Sequence, residues 1–79
     1  MQVGCGVYEL TIHGRSYVYF WHYETKAGRR TQVKEYVGPA ESPQTVAEAR
    51  RRSEAYYVRM AGELERMRRA AMAAIGTSR

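Results

Sequence analysis

From Arg15 to Pro39 the chain reads RSYVYFWHYETKAGRRTQVKEYVGP, and Tyr17, Tyr19, Trp21 and Tyr23 fall on every second position. A period of two is the signature of a strand, whose successive side chains point to opposite faces of a sheet. The stretch therefore predicts a strand over 16–24 with a row of large rings on one face and Val18 and Phe20 on the other. Thr25-Lys26-Ala27-Gly28 turns the chain, and a second alternating run over 29–37 sets Arg30, Gln32, Lys34 and Tyr36 against Thr31, Val33, Glu35 and Val37. Gly38-Pro39 ends that run. Upstream, Val7 to His13 alternates as well, with Tyr8, Leu10 and Ile12 opposite Val7, Glu9, Thr11 and His13, and His13-Gly14-Arg15-Ser16 supplies a tight turn. Three consecutive strands joined by short turns predict an antiparallel meander.

The period changes after Pro39. Ser42-Pro43 is an N-cap and first-turn pair, and Thr45 with Glu48 offers an alternative capping box. Beyond it Val46, Ala49, Ser53, Tyr56 or Tyr57, Met60, Leu64, Met67, Ala71 and Ile75 recur at three- and four-residue steps, a helical stripe. The other faces carry Arg50, Arg51, Arg52, Arg59, Arg66, Arg68 and Arg69, with Glu48/Arg52 and Glu65/Arg69 spaced as favourable i,i+4 pairs. Gly76 is the expected C-cap. The fold class that follows is α+β: a three-stranded antiparallel sheet over about 7–37, packed on one face by a long C-terminal helix over about 43–75. Seventy-nine residues make one small domain with a thin core, spanning 1–79.

Such a helix runs about 50 Å at 1.5 Å per residue, whereas strands of eight residues span about 27 Å. Either it breaks near Gly62 and folds back, or its second half overhangs the sheet. In the second case Leu64, Met67, Ala71 and Ile75 form a homodimer interface.

One helix covers one face of the sheet. The aliphatic set (Leu10, Ile12, Val18, Phe20, Val33 and Val37) is favourable to bury, at roughly 1.5–3 kcal/mol per large side chain. Burying Arg30 and Lys34 without partners costs several kcal/mol each. The helix is therefore expected on the aliphatic side, leaving rings and cations in water. An exposed cluster of rings needs a reason. A cross-strand ladder that stabilises the sheet and a dimer interface are the bland ones. Cations at Arg15, Lys26, Arg29, Arg30 and Lys34, on that face or its edges, favour a nucleic-acid surface, where rings meet bases or sugars and cations meet phosphates. A net charge of +5, carried by eleven arginines and two lysines, agrees with a polyanionic partner.

The remaining signals exclude more than they suggest. The single cysteine, Cys5, forms no intramolecular disulfide, and with His13 and His22 it shows no metal-ligand spacing. No cofactor or metal is expected. His13, His22, Cys5 and the scattered glutamates give no nucleophile–base spacing and no carboxylate pair, so catalysis is not expected, and the histidines fall at strand ends or turns. No apolar run approaches the roughly 20 residues of a membrane span, and the N-terminus has no secretory pattern; a cytoplasmic, nucleoid-associated protein without membrane contact is the expectation. The absence of Asn and Asp, beside abundant Glu and Arg, suits a thermophile or a GC-rich genome.

Tyr17-Val18-Tyr19-Phe20, the turn Ala27-Gly28-Arg29-Arg30, the strand ending in Val37-Gly38 and the helix start Val46-Ala47-Glu48-Ala49-Arg50 together resemble the arm-type DNA-binding domain at the N-terminus of tyrosine integrases. The resemblance covers roughly residues 8–60. It implies a sheet laid into the major groove of duplex DNA, with Arg15, Tyr17, Tyr19, Trp21, Tyr23, Arg30, Gln32 and Lys34 as the contact set and Glu48 and Arg50 in helix packing and capping. The stretch has no counterpart of the integrase core or catalytic domains, so recombinase activity does not carry over. In surface alone the basic, ring-rich sheet is similar to the small archaeal chromatin proteins. The expected partner is double-stranded DNA, contacted by Arg15, Tyr17, Tyr19, Trp21, Tyr23, Lys26, Arg29, Arg30, Gln32, Lys34 and Tyr36. Single-stranded DNA, RNA, a sequence-specific regulatory role and a protein-interaction module stay open at this point.

Overall fold

The computed structural model describes residues 3–77. Three strands, β1 (Cys5–Ile12), β2 (Arg15–Lys26) and β3 (Arg29–Pro39), are followed by one helix, α1 (Pro43–Thr77). The strands form an antiparallel sheet in the order β1-β2-β3. The predicted class is the observed one; β2 is longer at both ends than its alternation suggested, β1 starts two residues earlier, and β3 runs two residues further.

Both hairpins close through two residues. His13 and Gly14 have φ of 51° and 79°, and Ala27 and Gly28 have φ of 52° and 78°. Two successive positive φ values give the backbone twist that matches the right-handed twist of the flanking strands. The first turn is thus His13-Gly14 alone, and Arg15 already pairs with Ile12. A bulge between Val18 and Tyr19 shifts the β2–β3 register by one residue at the far end of the sheet. It locally disrupts pairing and twists the end of β3, an edge strand.

The helix packs across all three strands. Its buried residues are Thr45, Ala49 and Tyr56; Thr45 sits against Gly38 of β3, and the Tyr56 ring lies 5.7 Å from that of His22 on the central strand. Phe20 and Tyr56 are each only 3% exposed. Thr45 rather than Val46 takes the inward position at the first turn, and Val46 is exposed. The Tyr56 hydroxyl accepts from the Gly4 amide (3.1 Å) and donates to the Tyr23 carbonyl (3.0 Å), joining helix, β1 and β2 at one atom. One turn on, the Arg59 guanidinium grips both oxygens of Glu24, at 2.8 and 2.5 Å. That contact, opposed in part by burial and aided by His22, holds the Glu24 carboxyl down at about 2.

His22 lies in the middle of β2, not at a strand end. Its ring stacks on Phe20 (centroids 5.2 Å apart), and its two nitrogens reach Glu24 (2.6 Å) and Glu35 (2.7 Å). A histidine on the core side is tolerated because both polar atoms have partners.

The helix is continuous through Gly62 and beyond Gly76, so of the two alternatives it takes the overhang, and the expected C-cap at Gly76 is absent from the described residues. With 35 residues it is about 52 Å long at 1.5 Å per residue. The molecule extends 64 × 23 × 13 Å. The end of the helix therefore projects past the tip of the β2–β3 hairpin.

Candidate nucleic-acid interface

Residues directly opposite each other in antiparallel strands share a face. In β1 and β2 these pairs are Gly6 with Trp21, Tyr8 with Tyr19, Leu10 with Tyr17 and Ile12 with Arg15. The even positions of β1 therefore join the odd positions of β2 on the side away from the helix. This corrects the placement of Leu10 and Ile12 in the core. They are 44% and 46% exposed at the margin of the ring face, and Val7, Glu9 and Thr11 take the helix side. The expectation grouped side chains by apolarity, but pairing through an even-numbered turn dictates the parity. On β3, Gln32 pairs with Tyr23, Lys34 with Trp21 and Tyr36 with Tyr19.

One row of rings crosses the whole sheet. Tyr8 and Tyr19 are stacked, with centroids 5.3 Å apart and planes 14° from parallel, and Tyr19 meets Tyr36 edge to face at 5.5 Å. Tyr17 closes on Tyr36 at 6.2 Å. The next row is Gly6, Trp21 and Lys34. Trp21 lies so close over Gly6 that a Cβ built there would sit 2.9 Å from the indole; only glycine fits. Trp21 in turn meets Tyr23 edge to face at 5.6 Å. The expected outward face is thus observed, with Tyr17, Tyr19, Trp21 and Tyr23 half-buried among themselves and Tyr36 exposed.

The cations sit around this cluster. Lys34 Nζ lies 6.0 Å from the Tyr8 ring centre, and the Arg30 guanidinium 5.6 Å from that of Tyr23, within cation–π range. Arg15 shares the face at the opposite end. Lys26 and Arg29 pair with each other at the hairpin tip, and their parity places them on the helix side of the sheet. They flank the ring face at its tip without belonging to it.

The ring face, by the observed pairing, holds Arg15, Arg30 and Lys34 and no carboxylate; the glutamates of the strands, Glu9, Glu24 and Glu35, all have helix-side parity. Among the described residues, Arg15, Lys26, Arg29, Arg30 and Lys34 make no ion pair. The helix is the reverse: Arg51, Arg52, Arg59, Arg66, Arg68 and Arg69 each pair with a glutamate. Glu48, held at about 2 chiefly by Arg51 and then Arg52, shows the same neutralisation. Arg52 also donates to the Tyr36 carbonyl (3.2 Å), tying the helix to β3, while Arg50 is exposed. Glu48 thus holds Arg52, the side chain that reaches β3.

Tyr8 and Gly6 are the members of this surface that alternation alone did not supply. Their signal was present: a turn of two or four residues between β1 and β2 forces the even residues of one strand onto the face of the odd residues of the other.

No known protein family, curated protein or solved structure matches the chain.

Proposed function

We propose that the chain is a non-catalytic protein of double-stranded DNA, architectural or chromatin-like, with little sequence specificity, and that it binds through the ring face of its sheet. The observation that carries this reading is the segregation of charge. The cations of the ring face have no carboxylate within their own face, whereas six of the helix arginines each reach a glutamate. Unpaired cations beside rings fit a phosphate backbone with its sugars. Arg15, Arg30 and Lys34 hold phosphates from the face itself, and Lys26 and Arg29 from the hairpin tip.

Duplex is favoured over single strand by how the tyrosines pack. Tyr8 and Tyr19 use a face on each other, and Tyr19 meets Tyr36 through an edge. Such rings offer edges and hydroxyls to sugars and groove walls, whereas unpaired bases need free ring faces. Gln32, exposed on the same face, is the side chain suited to hydrogen-bond a base edge. The integrase-arm resemblance agrees in placing the contact set on the sheet.

The test is fluorescence anisotropy with labelled duplex, challenged by unlabelled duplex DNA, single-stranded DNA and RNA. Duplex should compete best. Arg30→Glu with Lys34→Glu, both exposed and outside the core, should lower duplex affinity at least tenfold with unchanged circular dichroism. Undiminished binding in that variant, or preferential competition by RNA or single strands, refutes the reading.

A further inference from the structure

The end of α1 carries an apolar stripe that runs from beside the β2–β3 hairpin, where Met67 lines a pocket with Gly28 and Arg30, out past the end of the sheet. Leu64, Met67, Ala71 and Ile75 follow one another at three- and four-residue steps, and Leu64 and Ile75 are 60% and 66% exposed. Arg68, four residues on from Leu64 and seven before Ile75, borders the stripe on the same side of the helix and pairs there with Glu65. Arg66 and Arg69 point to other sides of the helix and pair there with Glu63 and Glu65. A chain that neutralises so many of its helix arginines while leaving these side chains in water presents a surface that is incomplete alone.

A second apolar feature adjoins it and shares Leu64. Val3, Tyr57, Met60, Ala61 and Leu64 line an open groove of about 350 Å³ between the start of the chain and the helix. Groove and stripe are adjoining parts of one helix face. We infer that this face pairs with the same face of a second copy, the two helix ends running antiparallel. With Leu64 of one copy opposite Met67 of the other, Ala71 comes level with Met60, and Ile75 enters the groove beside Tyr57. By two-fold symmetry the exchange happens twice, so knob and groove are satisfied in both copies.

Direction follows from the shape of the chain. The helix is free of the sheet only toward its C-terminal end. Parallel pairing brings the two sheets to the same level, with β1 of one copy against the helix of the other. Antiparallel pairing keeps the sheets at opposite ends and leaves both ring faces open. Four large side chains at least half exposed (Tyr57, Leu64, Met67 and Ile75), together with Val3, Met60, Ala61 and Ala71, supply roughly 600–700 Å² per copy, the low end of stable interfaces.

Sedimentation equilibrium of the full chain from low to high micromolar concentration should show a mass rising from the 9.1 kDa monomer to twice that value. Leu64→Glu should hold it as a monomer, and so should Ile75→Glu, which lies far from the sheet and leaves the fold untouched. Orientation is read by a nitroxide on Gly76→Cys in a Cys5→Ser background. The antiparallel pair puts the two labels about 30 Å apart from the helix rise, whereas a parallel pair puts them about 10 Å apart. A strict monomer at every concentration, a dimer unaffected by both glutamates, a short label distance, or a monomer that associates only with a different protein would each overturn the inference.

Discussion

Replacing Glu24 by glutamine keeps the shape of the side chain and removes the charge that Arg59 grips from the helix. The Glu24 carboxyl titrates at about 2 in the fold against an ordinary 4.5. A depression of that size corresponds to about 3.4 kcal/mol at 1.36 kcal/mol per unit. Glu24 is well covered, with 17% of its side chain exposed, but Arg59 is 50% exposed. Solvent screening at that end reduces the net contribution to about 1–2 kcal/mol. Because the folded value lies below the unfolded one, the contribution is complete above about pH 4.5 and fades as pH falls toward 2. Urea denaturation of both proteins, followed by helix circular dichroism and Trp21 fluorescence between pH 7 and pH 2, isolates it. Glu48 and Glu65 are also depressed by arginines and contribute to the slope of both curves, so the quantity to read is the difference between them. That difference should be about 1–2 kcal/mol at pH 7 and should shrink toward zero at pH 2. Equal stabilities at neutral pH, or a gap independent of pH, refute the clamp as an anchor of helix to sheet.

Tyr56→Phe removes the hydroxyl that bridges the Gly4 amide and the Tyr23 carbonyl at a 3% exposed site. It should cost about 1–3 kcal/mol, and hydrogen exchange at Gly4 should accelerate more than at the centre of β2. Ala27 holds φ of 52° without being glycine, so Ala27→Asn, which tolerates that region, should raise stability by about 1 kcal/mol, measured as a higher urea midpoint at constant slope.

Much of the fold was legible because two periodicities meet at one proline. Alternation over Tyr17–Tyr23 and Arg30–Tyr36 identified two strands and their faces, and Ser42-Pro43 placed the helix start to the residue. Phe20, at 3% exposed, lay on a predicted inward position, and of Tyr56 and Tyr57, which the helical stripe left open, it is Tyr56 that turns inward. The face of β1 was misread because its strongest apolar residues, Leu10 and Ile12, look like core. Pairing parity outweighs apolarity there: the hairpin carries them to the far side, where Tyr17 and Arg15 lie opposite them. The same rule moves Lys26 and Arg29 off the ring face, since alternation along β2 continues without interruption to the hairpin tip. His22 was placed at a strand end because an isolated histidine gives no sign of its partners. Glu24 is two residues away, but Glu35 arrives only through the β3 register. The close seat of Trp21 on Gly6 was invisible for a similar reason, being a contact between strands. Gly62 and Gly76 mark no boundary, because a helix tolerates single glycines when its neighbours are strong helix formers.

The salt dependence of duplex binding tests the account most directly, because it reports how many phosphates the unpaired cations neutralise. With four to six of Arg15, Lys26, Arg29, Arg30, Lys34 and their neighbours engaged, log K against log[salt] should fall with a slope of about −4 to −5. A slope near zero, or no binding at low salt, would contradict the proposal that this sheet face is built for a polyphosphate chain.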